Sequence, residues 1–470
     1  MSAVPHSDAG GARGWPDYRT VWRWHFYAGL VCIPFVLWLA TTGSLYLFKP
    51  QIDAWLDRPY DSLDTRGPSR PPSAQVEAAL KAIPGGVLNA YQLPESEACA
   101  ARVLVGRGAE LFRVYVDPRS LVILATIRED SRFTALIFHL HGELLQGSRG
   151  SMIVETAASW TMMMLITGLY LWWPRAGGTD GVLYPRLHMG GRVFWRDLHA
   201  VTGFWVSFLA LFLLISGLPW AKSWGGMLKD VRQISASAPV KQDWATGSET
   251  ELAKRQLENS APVDEHAAHR TAAAGGENQG HGGQSAGAPG DSGPLDRLVP
   301  VVRAASLAAP VLIAPPSRAA TTWTARSDSQ NRPRRATLML DGVTGRVVSR
   351  EDFSQRPLMD RIVGVGIAAH EGQLFAPLNQ ALGLFTALGL ITLSVSAIVM
   401  WWRRRPEGVL GAPAPLRRSR LAIGVFAVIA LLGVLLPLFG ATLLVMLAIE
   451  YLVLRKSARA RVFLGLRAAS

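Results

Sequence analysis

At 470 residues, with 49% of them hydrophobic, 16 Trp and a positive mean hydropathy, the chain is long enough for two or three domains and apolar enough for lipid to be much of its solvent. Two cysteines, Cys32 and Cys99, exclude a disulfide framework, a Cys-rich metal site and covalent haem attachment through C-x-x-C-H. The net charge of +13 is no nucleic-acid footprint, because the basic loops carry no interleaved aromatic stacking platform.

Residues 1–20 are polar, and no small-residue cleavage site follows the next apolar run, so 21–49 reads as a signal anchor and first span. Segment 50–138 carries a helical pattern, SAQVEAALKAI, and then the strand-like runs ARVLVGR and ELFRVYVDPRSLVILATIRED, which predict a small α+β domain. Residues 139–173 form a second span, 174–195 a basic loop and 196–220 a third span. Segment 221–369 repeats the order helix, strand, strand-turn-strand in LDRLVPVVRAASL, PVLIAPP, TTWTARSD and ATLMLDGVTGRVVSRED, predicting a second α+β domain. Its 245–293 insertion is so rich in Gly, Ala, Ser and His that disorder is expected, with His266, His269 and His281 in a solvated linker. A fourth span at 370–402, a basic loop at 403–420, a hairpin at 421–454 broken by LPLFG, and a basic tail at 455–470 complete the chain.

Charge orients these spans. Residues 1–24, 174–197, 403–420 and 450–470 hold 18 Lys and Arg against 6 Asp and Glu, and the remainder is almost neutral. This is the positive-inside pattern, with both termini cytoplasmic and 50–138 and 221–369 outside, the periplasm of a bacterial inner membrane.

An internal repeat extends into the spans. HFYAGLVCIPFVLWLATTGSL starts at His25 and HAVTGFWVSFLALFLLISGLP at His199, each with Gly at +4 and +18: Gly29 and Gly43 in the first, Gly203 and Gly217 in the second. Trp172 and Trp173 stand 31 and 32 after His141, as Trp401 and Trp402 do after His370. The chain is therefore a duplicated unit of helix, outer domain, helix. Spacings of 4 and 18 share a helical face, so each His lies in a stripe with two glycines that leave room for a flat macrocycle.

Topology sorts the four repeat histidines into two layers, His25 with His199 and His141 with His370. Two neutral imidazoles from different helices suit the axial positions of a b-type haem, and two haems are expected, one per leaflet. Ionisable residues within spans are functional by default, which favours ligands over interface anchors. Zinc would need Glu143 or Glu371 to complete its ligand set. His139 lies about 200° around the helix from His141, so one of the two faces a shared site; His141 is the expected ligand and His139 the alternate. His6 and His188 are expected to face solvent. Trp38, Trp160, Met162, Met163, Met164 and Trp205 are read as packing residues.

The stretches RWHFYAGLVCIPFVLWLATTGSLYLFKPQID, RDLHAVTGFWVSFLALFLLISGLPW, AAHEGQLF with MWWRRRP, and LLPLFGATLLVMLAIEYLVLR resemble the PepSY-associated transmembrane proteins, often called iron-regulated membrane proteins, over residues 18 to about 456. The resemblance implies an α-helical integral membrane protein with a four-helix haem-binding bundle, two periplasmic PepSY-like α+β domains and an additional C-terminal hairpin. Through the di-haem siderophore reductases it implies His25, His199, His141 and His370 as ligands of two b haems. A quinol or a separate cytoplasmic reductase would be the donor, and a ferric siderophore or other periplasmic ferric chelate the acceptor. The absence of G-x-G-x-x-G after a strand fits an external donor. A PepSY-type regulator of peptidases, with structural histidines and no redox activity, is the alternative. A transporter subunit is disfavoured by parallel repeats and an uncharged midplane.

Overall fold

A computed structural model describes residues 17–174, 180–234, 292–316, 322–413 and 423–466. His6 and the His-rich stretch with His266, His269 and His281 lie outside them. In chain order the helices are α1 (Tyr18–Leu47), α2 (Lys49–Asp57), α3 (Pro72–Ala82), α4 (Phe133–Glu143), α5 (Gly147–Trp172), α6 (Gly191–Gly217), α7 (Lys222–Ile234), α8 (Leu295–Ala304), α9 (Leu358–His370), α10 (Leu378–Arg404), α11 (Ile423–Leu435), α12 (Pro437–Ile449) and α13 (Ala458–Leu464). The strands are β1 (Val87–Gln92), β2 (Ala101–Arg107), β3 (Glu110–Val116), β4 (Ile123–Arg128), β5 (Val311–Ala314), β6 (Thr322–Ser327), β7 (Ala336–Asp341) and β8 (Val347–Asp352).

These elements gather into two compact units, one built from the described residues within 1–47, 138–246 and 377–470 and the other from those within 48–137 and 247–376. In the first, five helices among the described residues are long and apolar enough to cross a membrane: Tyr18–Leu47, Gly147–Trp172, Gly191–Trp220, Leu378–Arg404 and Pro437–Leu454. A helix closes its backbone hydrogen bonds within itself, the condition a bilayer interior imposes. Hydroxyls along these helices also turn inward, as Thr161 does to the Ala157 carbonyl at 2.7 Å and Ser394 to that of Leu390 at 2.9 Å. The chain is thus a multi-pass membrane protein in a lipid environment.

Four of the spans form a ring. α1 packs against α5 and α10, and α6 packs against the same two, so α1 and α6 stand opposite each other. The C-terminal α11 and α12 meet where Gly433 and Gly440 approach, close enough that a Cβ on Gly440 would lie 2.7 Å from the Gly433 carbonyl oxygen. α12 docks on α5 and α7, with Trp160 donating to Thr442 at 3.0 Å and Phe439 buried beside Met162. The break expected in LPLFG falls at Leu436, ahead of Pro437.

Two expected spans are each preceded by a separate helix. Leu144 (φ 50°), Leu145 (φ 58°) and Gly147 (φ 56°) take left-handed backbone, so the helix expected over 139–173 is divided into α4 and α5. Gly150 allows the tight join: a Cβ there would fall 1.6 Å from the Glu143 carbonyl oxygen. The span expected over 370–402 likewise begins only at Leu378, after Gly372 (φ 74°) and Pro377. His141 and His370 therefore lie on the short helices α4 and α9, not on the spans.

The second unit corrects the expectation of two separate outer domains. Its strands make one eight-stranded antiparallel sheet in the order β4-β3-β2-β1-β5-β6-β7-β8. Tyr91 and Gln92 of β1 pair with Ile313 and Leu312 of β5, joining two four-stranded meanders at their first strands. Each meander alone would leave that strand as an open edge, and mutual pairing satisfies both rows of backbone groups. A single core results, with Val76, Tyr91, Val103 and Val114 from the first meander and its helix packed with Leu295, Leu298, Ile313 and Trp323 from the second.

A candidate cofactor site in the helical bundle

His25 on α1 and His199 on α6 project from opposite helices of the ring, and their imidazoles meet with centroids 6.4 Å apart and planes at 85°. Two imidazole nitrogens each about 2 Å from one metal ion, as in imidazole–metal bonds generally, put the ring centroids roughly 6 Å apart. The spacing therefore fits a bis-imidazole iron centre, and the pair expected from the repeat is brought together.

The second nitrogen of each ring is occupied. His25 Nδ1 lies 3.0 Å from Thr167 Oγ1 on α5, and the Thr167 hydroxyl donates to the Met163 and Met164 carbonyls at 2.9 and 3.0 Å. His199 Nδ1 lies 3.1 Å from the Leu393 carbonyl and 3.2 Å from Ser396 Oγ, whose hydroxyl donates to the same carbonyl at 3.0 Å. A carbonyl only accepts, and a hydroxyl whose proton is committed offers only its lone pairs. Acceptors placed at both Nδ1 atoms favour a proton there and a free pair on Nε2, the arrangement in which a histidine binds metal while its other nitrogen is anchored.

His141, on α4, has the same arrangement. Its Nδ1 lies 3.0 Å from Thr42 Oγ1, whose proton goes to the Trp38 carbonyl at 2.8 Å. His139, expected as the alternate ligand, instead bonds Glu143 Oε2 through Nδ1 at 2.9 Å on the same helix. His370 closes α9 in the other compact unit. Beside it Glu371 is buried, and burial pushes its carboxyl above the usual range against the pull of Arg332, Arg335 and Lys49. Among the described residues no group of three His, Cys, Asp or Glu could hold a metal ion, and Glu143, named as a zinc helper, is engaged by His139. His188 is exposed.

The glycines serve ring and helix packing more than open space. A Cβ on Gly43 would lie 3.1 Å from His141 Cε1, so Gly43 seats that imidazole. A Cβ on Gly29 would lie 3.6 Å from the Met164 methyl and one on Gly203 3.3 Å from a Leu393 methyl, at the contacts of α1 with α5 and of α6 with α10. Gly217 ends α6. Gly168, which the repeat did not single out, is the glycine beside His25, where a Cβ would come within 3.2 Å of Cε1.

Sequence reasoning also passed over Thr42, Thr167 and Ser396, although the repeat marks them. Thr42 follows His25 by 17 residues as Ser216 follows His199, and Thr167 follows His141 by 26 as Ser396 follows His370. The matched tryptophans have a packing role: Trp172 donates to the Val182 carbonyl and Trp401 to that of Leu410, both at 2.9 Å, each fastening the loop that leaves its span. Trp38 and Trp205 similarly donate to the Leu140 and Leu183 carbonyls.

A ring of spanning helices with facing imidazoles at its axis defines a polytopic helical membrane protein with a histidine site inside the bundle. Residues 22–404 match the family described as the PepSY-associated TM region, and the chain belongs to that family. No curated protein matches it.

Proposed function

We propose that the chain is a bacterial inner-membrane b-type di-haem protein that carries electrons across the membrane to reduce a periplasmic ferric complex, such as a ferric siderophore. The observation supporting this most strongly is the His25–His199 pair, 6.4 Å between centroids, with each Nδ1 engaged. A haem held between two imidazoles supplies reversible one-electron transfer. The chain's part is to offer the two Nε2 lone pairs from opposite helices and to hold the rings by α5 and α10. The second pair, His141 with His370, is supported by the sequence repeat alone.

One electron delivered outside would convert Fe(III) to Fe(II) in the acceptor, and hard oxygen ligands then release the metal more readily. A quinol or a separate cytoplasmic reductase is the donor in this reading. The charge asymmetry of the loops supports cytoplasmic termini.

Visible spectra of the detergent-purified protein, oxidised and dithionite-reduced, with haem quantified per chain, test the proposal. About two b haems per chain are expected. Protein that stays colourless after expression with ample haem would overturn it and favour a PepSY-type regulator.

A further inference from the structure

The three resolved histidine anchors share one construction. His25 reaches Thr167 and the backbone of Met164, His199 reaches Ser396 and the carbonyl of Leu393, and His141 reaches Thr42 and the backbone of Leu39. In every case the carbonyl residue precedes the hydroxyl residue by three on a spanning helix. The hydroxyl bonds that carbonyl, at 3.0 Å in Thr167 and Ser396 and 3.4 Å in Thr42. Each ring thus docks its Nδ1 on the hydroxyl oxygen of such a carbonyl–hydroxyl notch, on a helix other than its own, and His199 Nδ1 also lies 3.1 Å from the carbonyl oxygen.

Such a notch accepts and does not donate. The carbonyl has no proton, and the hydroxyl has committed its own to the backbone, so an Nε2–H tautomer would bring an imidazole lone pair against two oxygen lone pairs. Helical serines and threonines often bond back to the preceding turn without further consequence. Here the same three-residue step recurs under three imidazoles, and two of its hydroxyls, Thr167 and Ser396, occupy equivalent places in the two halves of the chain.

We infer that Thr42, Thr167 and Ser396 are positioning residues that fix the Nδ1–H tautomer of His141, His25 and His199, so that each Nε2 lone pair is presented for coordination. The inference rests on the proposed function only for what those lone pairs meet. A proton held at Nδ1 by an acceptor also makes Nε2 the more basic donor, and loss of such an outer partner commonly lowers metal affinity about 10-fold or more.

The test uses the full-length chain in detergent, labelled with 15N-histidine. Nitrogen NMR of haem-free protein, from haem-limited cells, reads the tautomers directly: wild type should show His25, His141 and His199 protonated at Nδ1, assigned by single His→Gln variants. Thr167→Val should lose the single tautomer at His25 alone and Thr167→Ser should restore it; Thr42→Val and Ser396→Ala should act on His141 and His199. After haem addition, Thr167→Val should bind about 10-fold more weakly than wild type and show a higher midpoint potential, with Thr167→Ser near wild type. Nε2–H tautomers in wild type, or unchanged tautomers in the valine and alanine variants, would overturn the inference. Wild type that takes up no haem would sink the proposed function while leaving the tautomer result to decide this point.

Discussion

The helical unit and the sheet unit both bury polar groups, but they finish them differently. In the sheet unit the buried network around β2 and β3 is built largely of charge pairs. Arg102 holds Asp61 at 2.7 Å and Asp57 at 3.4 Å, Arg132 reaches Asp53 at 3.2 Å and Asp57 at 3.6 Å, and Tyr115 donates to Asp57 at 3.0 Å. In the helical unit His25, His141 and His199 each dock Nδ1 on a neighbouring helix. Such charge networks are costly to break, since removing one partner strands the other's buried charge. Rings docked through one nitrogen are a weaker brace, since one hydrogen bond contributes only about 0.5–1.5 kcal/mol net. Their arrangement makes sense when a ligand completes it.

That contrast is broken or sharpened by substitution. The largest effect belongs to His199→Ala, which should reduce bound haem from about two to about one per chain and abolish transmembrane electron transfer; a spectrum and haem content identical to wild type would erase the distinction between the units. Arg102→Ala should do the converse, costing the sheet unit about 3–5 kcal/mol by stranding buried carboxylates, read as a lowered unfolding midpoint with the haem spectrum retained. Gly168→Ala should press on the His25 ring and cost about 1–3 kcal/mol through overpacking, with a shifted haem spectrum. Gly29→Ala, meeting only the flexible tip of Met164 at 3.6 Å, should cost less and leave the spectrum alone.

The smallest expected effect is a pH dependence in the sheet unit. Burial alone would raise the Asp53 carboxyl, but Lys49, Thr134 and Arg132 outweigh it and hold the group below its usual range. A depressed carboxyl stabilises the folded state above its unfolded value and loses that contribution as pH falls through the folded one. Thermal unfolding followed from neutral to acid pH should therefore show a decline that is shallower in Asp53→Asn.

Much of the helical unit is legible in the sequence because apolar length and a fixed offset report directly on spans and on a shared helix face. His25 and His199 were found that way, and so was the break before Pro437. The division between α4 and α5 was hidden because its left-handed residues are Leu144 and Leu145, a residue type that seldom takes this backbone. Joining of the meanders was hidden for another reason: a strand's pattern shows which face is buried, not which distant strand its edge will meet. The hydroxyl notches were in principle readable, since Thr167 and Ser396 keep register with the histidines, but attention to histidines and glycines alone passes over them.

The pairing of Tyr91 with Ile313 has a consequence for biogenesis. More than 200 residues and two spanning helices separate these partners along the chain. At roughly 5–20 residues per second of synthesis, the first meander waits on the order of 10–40 s before its neighbouring strand exists. During that interval β1 is an exposed template, open to any extended segment nearby, and a ribosome that stalls after α6 leaves a half-sheet for quality control to recognise.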